Sequence, residues 1–544
     1  MTSPSGTTVA FNGELYNADE LRAQLAGPQR TFRSRSDTEI VLAAYERWGT
    51  ASFARLRGMF AIAVMDPEMR TLTLARDPFG IKPLYLARTP GGLGFASEIR
   101  ALVRAGLAQS ELSVDGLAGY LALGAALEPL TMLKDVTLLA PGTSLVLSEQ
   151  GEEMEPFFSL EEAFARTPTV DGDAVIPELR RLLRRAVQRH LVSDVPLGIF
   201  LSGGLDSTTL VGLAAESGQR PRTSSIVFTE PEYSERSYIA EVVERYGTVH
   251  HEVDLSVETF LDELPGAMAA MDQPTVDGVN TYVVSKLTKK AGLTVALSGL
   301  GGDELFAGYD LFKVVPRLES IREFARLPPP LARTTARVFG QGDTASKLAR
   351  WLAGSEPSAY ALHRELIGRS VRTALLGAAP LALPIERSRA TDANDVSRLE
   401  MQHFMGNLLL RDSDVMSMAH GLELRVPFLD QDLVEFVARL PADLKVERGR
   451  QKPLLQDAVR DLLPPAVRNR EKMGFTLPFE RWLRGPLRAE VCSTLLDVSR
   501  GGQVGQALDG AAVRRVWEAF ENGRTSWSRP WALYVVKRWG ESYL

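Results

Sequence analysis

The stretch Ser202-Gly203-Gly204-Leu205-Asp206-Ser207 carries the plainest chemistry in the 544-residue sequence. An apolar run at 195–201 precedes it and reads as a buried parallel strand, and 209–215 reads as the helix that follows. A glycine-rich turn between strand and helix aims backbone N–H groups and the positive end of the helix dipole at an anion, usually phosphate. The glycines let the backbone close on that anion, and the Asp206 carboxylate suits Mg²⁺ beside it. No GxxxxGK[ST] pattern occurs, so this is not the common phosphate loop. A second stretch, Ser298-Gly299-Leu300-Gly301-Gly302-Asp303-Glu304, follows a strand read at 293–297 and again carries an acid. Two such loops at the carboxyl ends of parallel strands meet the needs of a magnesium-nucleotide site.

Those loops need a sheet to hold them. Strands read at 197–201, 223–228, 249–253 and 293–297 alternate with helices, which implies a parallel sheet covered on both faces. A helix read from 176 towards 190 leads in, with Leu179, Leu182, Leu183 and Val187 at helical spacing. Residues 1–155 read differently: β-rich, with strands at 8–11, 59–65, 71–75 and 94–96 and a helix at 18–26. Residues 131–147 read as the exit strand of this first region, with a turn at Pro141-Gly142. The polar stretch 161–173 has no apolar period and reads as a linker. Residues 312–410 read as helical with few chemical signals, and the aromatic-rich tail 527–544 as a helix.

The bulk properties narrow the class. The length exceeds one core, and 45% hydrophobic with 24% charged residues is ordinary for a soluble globular protein. A net charge of −6 without a basic run sets nucleic acid aside as a partner. The single cysteine, Cys492, excludes a disulfide framework and a multi-cysteine zinc site, and the 6 histidines show no metal-ligand spacing. The longest uncharged apolar stretch, 116–127, is too short to span a bilayer, and no signal peptide opens the chain. The expectation is a cytoplasmic protein with small-molecule partners, no membrane and no nucleic acid; a homodimer stays open.

The first loop resembles the SGGxDS pyrophosphate loop of the ATP pyrophosphatase superfamily. Four earlier stretches, Phe11-Asn12-Gly13-Glu14-Leu15-Tyr16-Asn17, Ser36-Asp37-Thr38-Glu39, residues 75–85 (ARDPFGIKPLY) and 97–102 (SEIRAL), resemble in order the glutaminase domain of asparagine synthetase B-type amidotransferases. Residues 408–430 (LLLRDSDVMSMAHGLELRVPFLD), 449–452 (GRQK) and 470–475 (REKMGF) continue the likeness. The resemblance implies a two-domain chain of α/β and α+β class. Residues 1–160 would form an incomplete Ntn-hydrolase-like αββα sandwich, 161–173 the linker, and 174–544 a parallel-sheet ATP pyrophosphatase domain with helical additions.

It also implies an activity: ATP and Mg²⁺ activate a carboxylate, aspartate in the main family, as an acyl-adenylate, which nitrogen from glutamine or ammonia then amidates. By resemblance Phe200, Ser202, Gly203, Gly204, Asp206, Ser207, Ile226, Ser298 and Gly299 bind ATP, and Asp206 and Asp303 hold the metal. Lys472 would bind the leaving phosphate, and Glu423 matches an acid of a catalytic dyad in lactam-forming relatives, or else is an ion-pair partner of Arg425. Asn12 and Gly13 match an oxyanion hole, and Glu14 and Asp37 a glutamine pocket.

The sequence departs from the family in three places. No cysteine precedes Cys492, whereas the glutaminase nucleophile of relatives follows the initiator methionine. The expectation is a true start upstream, and the rival is a decayed domain kept as scaffold. Leu300 stands where asparagine synthetases usually carry an acid that guides ammonia or takes a proton. Asp272-Gln273-Pro274-Thr275 stands where relatives read "DEPFAD". Both changes bear on the acceptor, which leaves open a ligase for a different carboxylate and, from another class, a non-catalytic nucleotide-binding scaffold.

Overall fold

The computed structural model describes residues 1–27, 31–165, 172–218, 220–228, 235–321, 328, 330–332, 334, 342–354, 358–378, 383–470 and 478–544. In the N-terminal part, eight strands follow in order: β1 (Thr8–Leu15), β2 (Gly58–Asp66), β3 (Thr71–Arg76), β4 (Tyr85–Thr89), β5 (Gly92–Ala96), β6 (Val136–Leu138), β7 (Thr143–Ser148) and β8 (Gly151–Pro156). They make two antiparallel sheets, β1-β2-β3-β7-β8 and β5-β4-β6.

Side-chain alternation builds the layers. On β2, Phe60, Ile62 and Val64 enter a core with the helix Asp37–Trp48, while Ala61 and Ala63 face Leu84 and Leu86 of the second sheet. On the far face of that sheet, Tyr85 and Ala87 pack against the helices Ile99–Arg104 and Val114–Leu123. The result is an αββα sandwich. β1 runs on to Leu15, beyond the strand read at 8–11, because the apolar β2 offers pairing through Leu15↔Gly58. The exit strand read at 131–147 divides into β6 and β7 around Pro141 and Gly142, where φ is +64°. All of β8 is exposed, and its free edge carries Glu152, Glu153 and Glu155.

The second part holds β9 (Leu197–Phe200), β10 (Arg222–Phe228), β11 (Val249–Leu255), β12 (Val295–Leu297) and β13 (Glu423–Arg425). All pair in parallel, in the order β11-β10-β9-β12-β13. The strand order reverses between β9 and β12, and such a switch point opens a crevice at the strands' carboxyl ends. The helix Val175–His190 buries Leu179, Leu182, Leu183 and Val187 against this sheet's core, as its spacing predicts. β13 has only three residues and no strand signal in the sequence.

The stretch read as a linker starts as a helix, Leu160–Ala165, whose Phe164 packs on the second core; 166–171 lie outside the described residues. The two parts meet through buried polar contacts. Lys82 Nζ lies 2.7 Å from Asp414 Oδ1, with both side chains nearly out of solvent. Asp272 accepts the N–H groups of Ile99 and Arg100 at 2.7 and 3.0 Å, and so caps the helix Ile99–Arg104 from the opposite part. Gln273 donates to Tyr85 and accepts from Met132 N. Asp272 and Gln273 therefore serve this junction, not the acceptor side of the crevice suggested by their place in the motif. The tail forms the helix Ser528–Tyr543 with Trp531 and Trp539 in the core.

Candidate active site

A cavity of about 540 Å³ opens at the switch point, within the size range of small-molecule sites. Its floor is the loop after β9 and the start of the helix Leu205–Ala215. Gly203 has φ +66°, and a Cβ there would meet Tyr238 Cβ at 2.8 Å, so only glycine fits. Arg470 braces the turn, donating to Gly203 O at 3.1 Å and to Glu235 at 2.6 Å. Ser207 Oγ accepts from Ser202 N at 3.2 Å, which closes the loop on itself.

The loop after β12 supplies the opposite wall. Gly301 has φ +87°, and its missing Cβ leaves room for Leu429. Ser298 donates its N–H to Arg425 O at 2.8 Å, which ties this loop to β13. Gly299 and Gly302 sit against Asp206: added Cβ atoms would lie 2.9 Å from its Cβ and 2.6 Å from its Oδ1.

The two acids converge. Lys452 Nζ lies 2.5 Å from both oxygens of Asp206 and 2.8 Å from Asp303 Oδ1. Lys452 is buried and has φ +46°, an uncommon conformation for a side chain of this size. Burial pulls its pKa down, but Asp206 and Asp303 outweigh that and lift it to about 12. This lysine was missed as a site residue. Its stretch, 449–452, belongs to the resemblance, yet nothing in the spacing shows that the chain returns across the loops there.

A cation thus already lies between two carboxylates that reach it from separate loops. That donor set fits a divalent ion, which takes few protein carboxylates and completes its shell with phosphate oxygens and water. Among the described residues no third acid or histidine joins them as a ligand group. Gly308 helps make the room: a Cβ there would stand 1.9 Å from Asp303 Oδ1.

Phe200, Ser202, Gly204, Asp206, Ser207, Ile226, Ser298, Gly299 and Asp303 all line the cavity, while Gly203 turns its carbonyl to Arg470 instead. Leu300 also lines it, as do Glu304 and Tyr309. Lys472 lies outside the described residues. Glu423 is not brought to this cavity. It begins β13 in register with Val295 and holds Arg425 Nε at 2.7 Å.

Arg425 in turn reaches Glu14 at 3.0 Å. Glu423 therefore joins the residues read as a glutamine pocket. Burial pushes Glu14 up to about 7 against the pull of Arg425, with Asp37 and Glu423 adding to the rise. Asp37 accepts from Leu15 N at 2.8 Å, and Asn12 Nδ2 donates to Ser97 Oγ at 2.9 Å. At Gly13 a Cβ would lie 2.0 Å from Met59 O, so β1 and β2 close only on glycine.

Comparison with known proteins shows the family. The asparagine synthase family model matches residues 178–541, and a glutamine amidotransferase domain model matches 1–158. The chain belongs to the asparagine synthase family. Asparagine synthetase [glutamine-hydrolyzing] 1 of Bacillus subtilis is 32% identical over 496 residues, 88% of this chain and 77% of that one. A putative asparagine synthetase of Mycobacterium tuberculosis (strain H37Rv) is 33% identical over 564 residues, 99% of this chain and 84% of its own length. Amidase chry2 of Gibberella zeae is 27% identical over 583 residues, 94% and 85% of the two chains. As a member of this family the chain is a carbon–nitrogen ligase that forms amides at the expense of ATP. Among the described residues no helix is long and apolar enough to cross a membrane.

Proposed function

We propose that the cavity binds ATP with its pyrophosphate on the 202–207 loop, and that a carboxylate acceptor attacks the α-phosphorus to give an acyl-adenylate. The supporting observation is the convergence of Asp206 and Asp303 on Lys452 across the switch point. Backbone N–H groups and the helix end would offset the pyrophosphate charge as the bond to it breaks. Asp206 and Asp303 would hold Mg²⁺, which supplies further charge neutralisation when bound. Lys452 is placed to hold these acids apart and to face a phosphate. Amidation then proceeds with ammonia, from solution or from glutamine bound near Glu14 and Asp37. Residues 1–160 and 174–544 are the units that carry these two jobs.

Aspartate is the first acceptor to test, since curated relatives are named for asparagine synthesis. A second reading, amidation or cyclisation of another carboxylate, rests on Leu300, which gives the cavity an apolar wall where asparagine synthetases carry an acid. Acid-dependent exchange of labelled pyrophosphate into ATP, over a panel of carboxylic acids, tests both. Aspartate-dependent exchange supports the first reading and exchange with another acid the second. No exchange with any acid leaves a nucleotide-binding scaffold and sinks the proposal.

A further inference from the structure

The nucleotide proposed for this cavity is an anion, so an acid on the wall outside the metal pair must answer to something else. Two such acids, Asp277 and Asp412, line the cavity together with Asn280. Asp277 stands at the N-cap of the helix Gly278–Lys290, yet its side chain caps no backbone N–H there. Instead Asn280 Nδ2 donates to Asp277 Oδ1 at 2.9 Å, which leaves Asn280 Oδ1 on the other side of the amide. Asp412, on the helix Leu410–Met418, accepts from Thr275 Oγ1 at 2.6 Å through its Oδ1. Gly278 lets the two helices close: a Cβ there would lie 2.9 Å from that same oxygen.

This stretch of wall offers acceptors and little to satisfy them. Asp412 is only 4% exposed, and its Oδ2 has no hydrogen-bond partner; Asn280 Oδ1 has none either. Arg411, next in sequence, sends Nη1 to Ala126 O at 3.1 Å. Lys452 and Arg470, the cations that line the cavity among the described residues, are taken up by Asp206, Asp303 and Glu235. A buried carboxylate oxygen without a donor is unfavourable, and an ammonium, which only donates, would meet both open oxygens. ATP carries no such cation. Burial, with Asp277 beside it, raises the Asp412 carboxyl well above its ordinary pKa, and a cation set between the two acids would favour the charged form of both.

We propose that Asp277, Asp412 and Asn280 seat a protonated amine carried by the acceptor, so that the chain activates carboxylic acids bearing an ammonium group. The seat presupposes the activation step proposed above and adds the class of its acceptor. Aspartate belongs to that class and succinate does not. An uncharged donor of the nucleotide, the adenine amino group, is the rival occupant.

Pyrophosphate exchange on acids matched in pairs that differ by the amine alone tests the seat: aspartate with succinate, glutamate with glutarate, β-alanine with propionate. In the pair that works best, kcat/KM for the amine-bearing acid should exceed that of its partner by about 100-fold or more, since a site built around a donor rejects the analogue that lacks it. Asp412→Asn keeps an acceptor for Thr275 but drops the charge. It should narrow that preference to about 10-fold or less while the KM for ATP moves by less than about 3-fold. Asp277→Asn should narrow it in the same direction, and decides the matter where Asp412→Asn fails to fold. Equal use of both members of every pair, or a preference that neither variant narrows, overturns the seat. A clear rise in the KM for ATP with the preference unchanged assigns this wall to adenine and overturns it as well. No exchange with any acid instead removes the activation reading and the seat with it, so the two failures are distinct.

Discussion

Lys452 and Asp206 stand 246 positions apart in sequence, yet the lysine ammonium lies 2.5 Å from both carboxylate oxygens. This contact, with Asp303 on the other side, ties the start of the helix Pro453–Ala458 to the two glycine loops. It makes this end of the cavity one electrostatic unit.

Lys452→Met is expected to lower pyrophosphate exchange by about 100-fold or more, the usual loss for a preorganised charge in a dry site. It also leaves two acids facing each other, so a fall in stability of about 1–3 kcal/mol should accompany it. Asp206→Asn should abolish exchange with less effect on stability. Exchange assays and urea unfolding of the same preparations check both.

Gly308→Ala tests the room around Asp303. The added methyl would stand 1.9 Å from Asp303 Oδ1, so the carboxylate must move. The magnesium concentration needed for half-maximal exchange is expected to rise about 10-fold or more, because a displaced ligand weakens the metal site. Chelation with EDTA should stop exchange in the parent chain, and excess Mg²⁺ should restore it.

Lys82→Met breaks the buried pair that joins the two parts of the chain. Asp414 then stays buried without its cation, at a cost of about 3–5 kcal/mol. Replacing both residues, Lys82→Met with Asp414→Leu, should recover part of that loss. Burial lowers the Lys82 pKa, but Asp414 lifts it above the ordinary value. The pair's contribution is therefore full below the unfolded lysine pKa and is lost only as pH rises through the folded one. Unfolding midpoints at pH 7 and above 10 check the sign.

Lys445 behaves in the opposite way. It is fully buried, its Nζ has no hydrogen-bond partner among the described residues, and the Phe164 ring lies 5.2 Å away. Burial drops its pKa from 10.5 to about 7. Between those values the unfolded chain holds a proton that the native chain lacks, so this group makes stability rise with pH across that window. Lys445→Met is expected to be more stable than the parent at pH 7 by about 1–3 kcal/mol. The gap should shrink towards pH 10, and thermal unfolding of the two chains in parallel measures it.

Much of this was legible in the sequence, and the reasons differ by element. The β9 and β12 loops announced themselves because serine, glycines and then aspartate follow an apolar strand in each. A continuous apolar run marked β2, and a clean helical period marked Val175–His190. β13 escaped because three residues carry no period, and its place is set by β12 alone. Lys452 escaped because a lysine gains meaning here only from two acids distant in sequence. Asp272 looked like part of the acceptor site, and only the packed chain shows its carboxylate capping a helix of the other part.

The five-stranded antiparallel sheet ends on β8, where Glu153 and Glu155 stand in solvent and Glu152 pairs with Arg88, on an edge that no further strand covers among the described residues. An uncovered edge invites another chain to add a strand and start a ribbon. Here any copy that approached edge to edge would bring the same acidic row against its own kind. The chain thus carries a colloidal safeguard in its sheet margin, one that high salt would weaken and that removal of Glu153 and Glu155 would disarm.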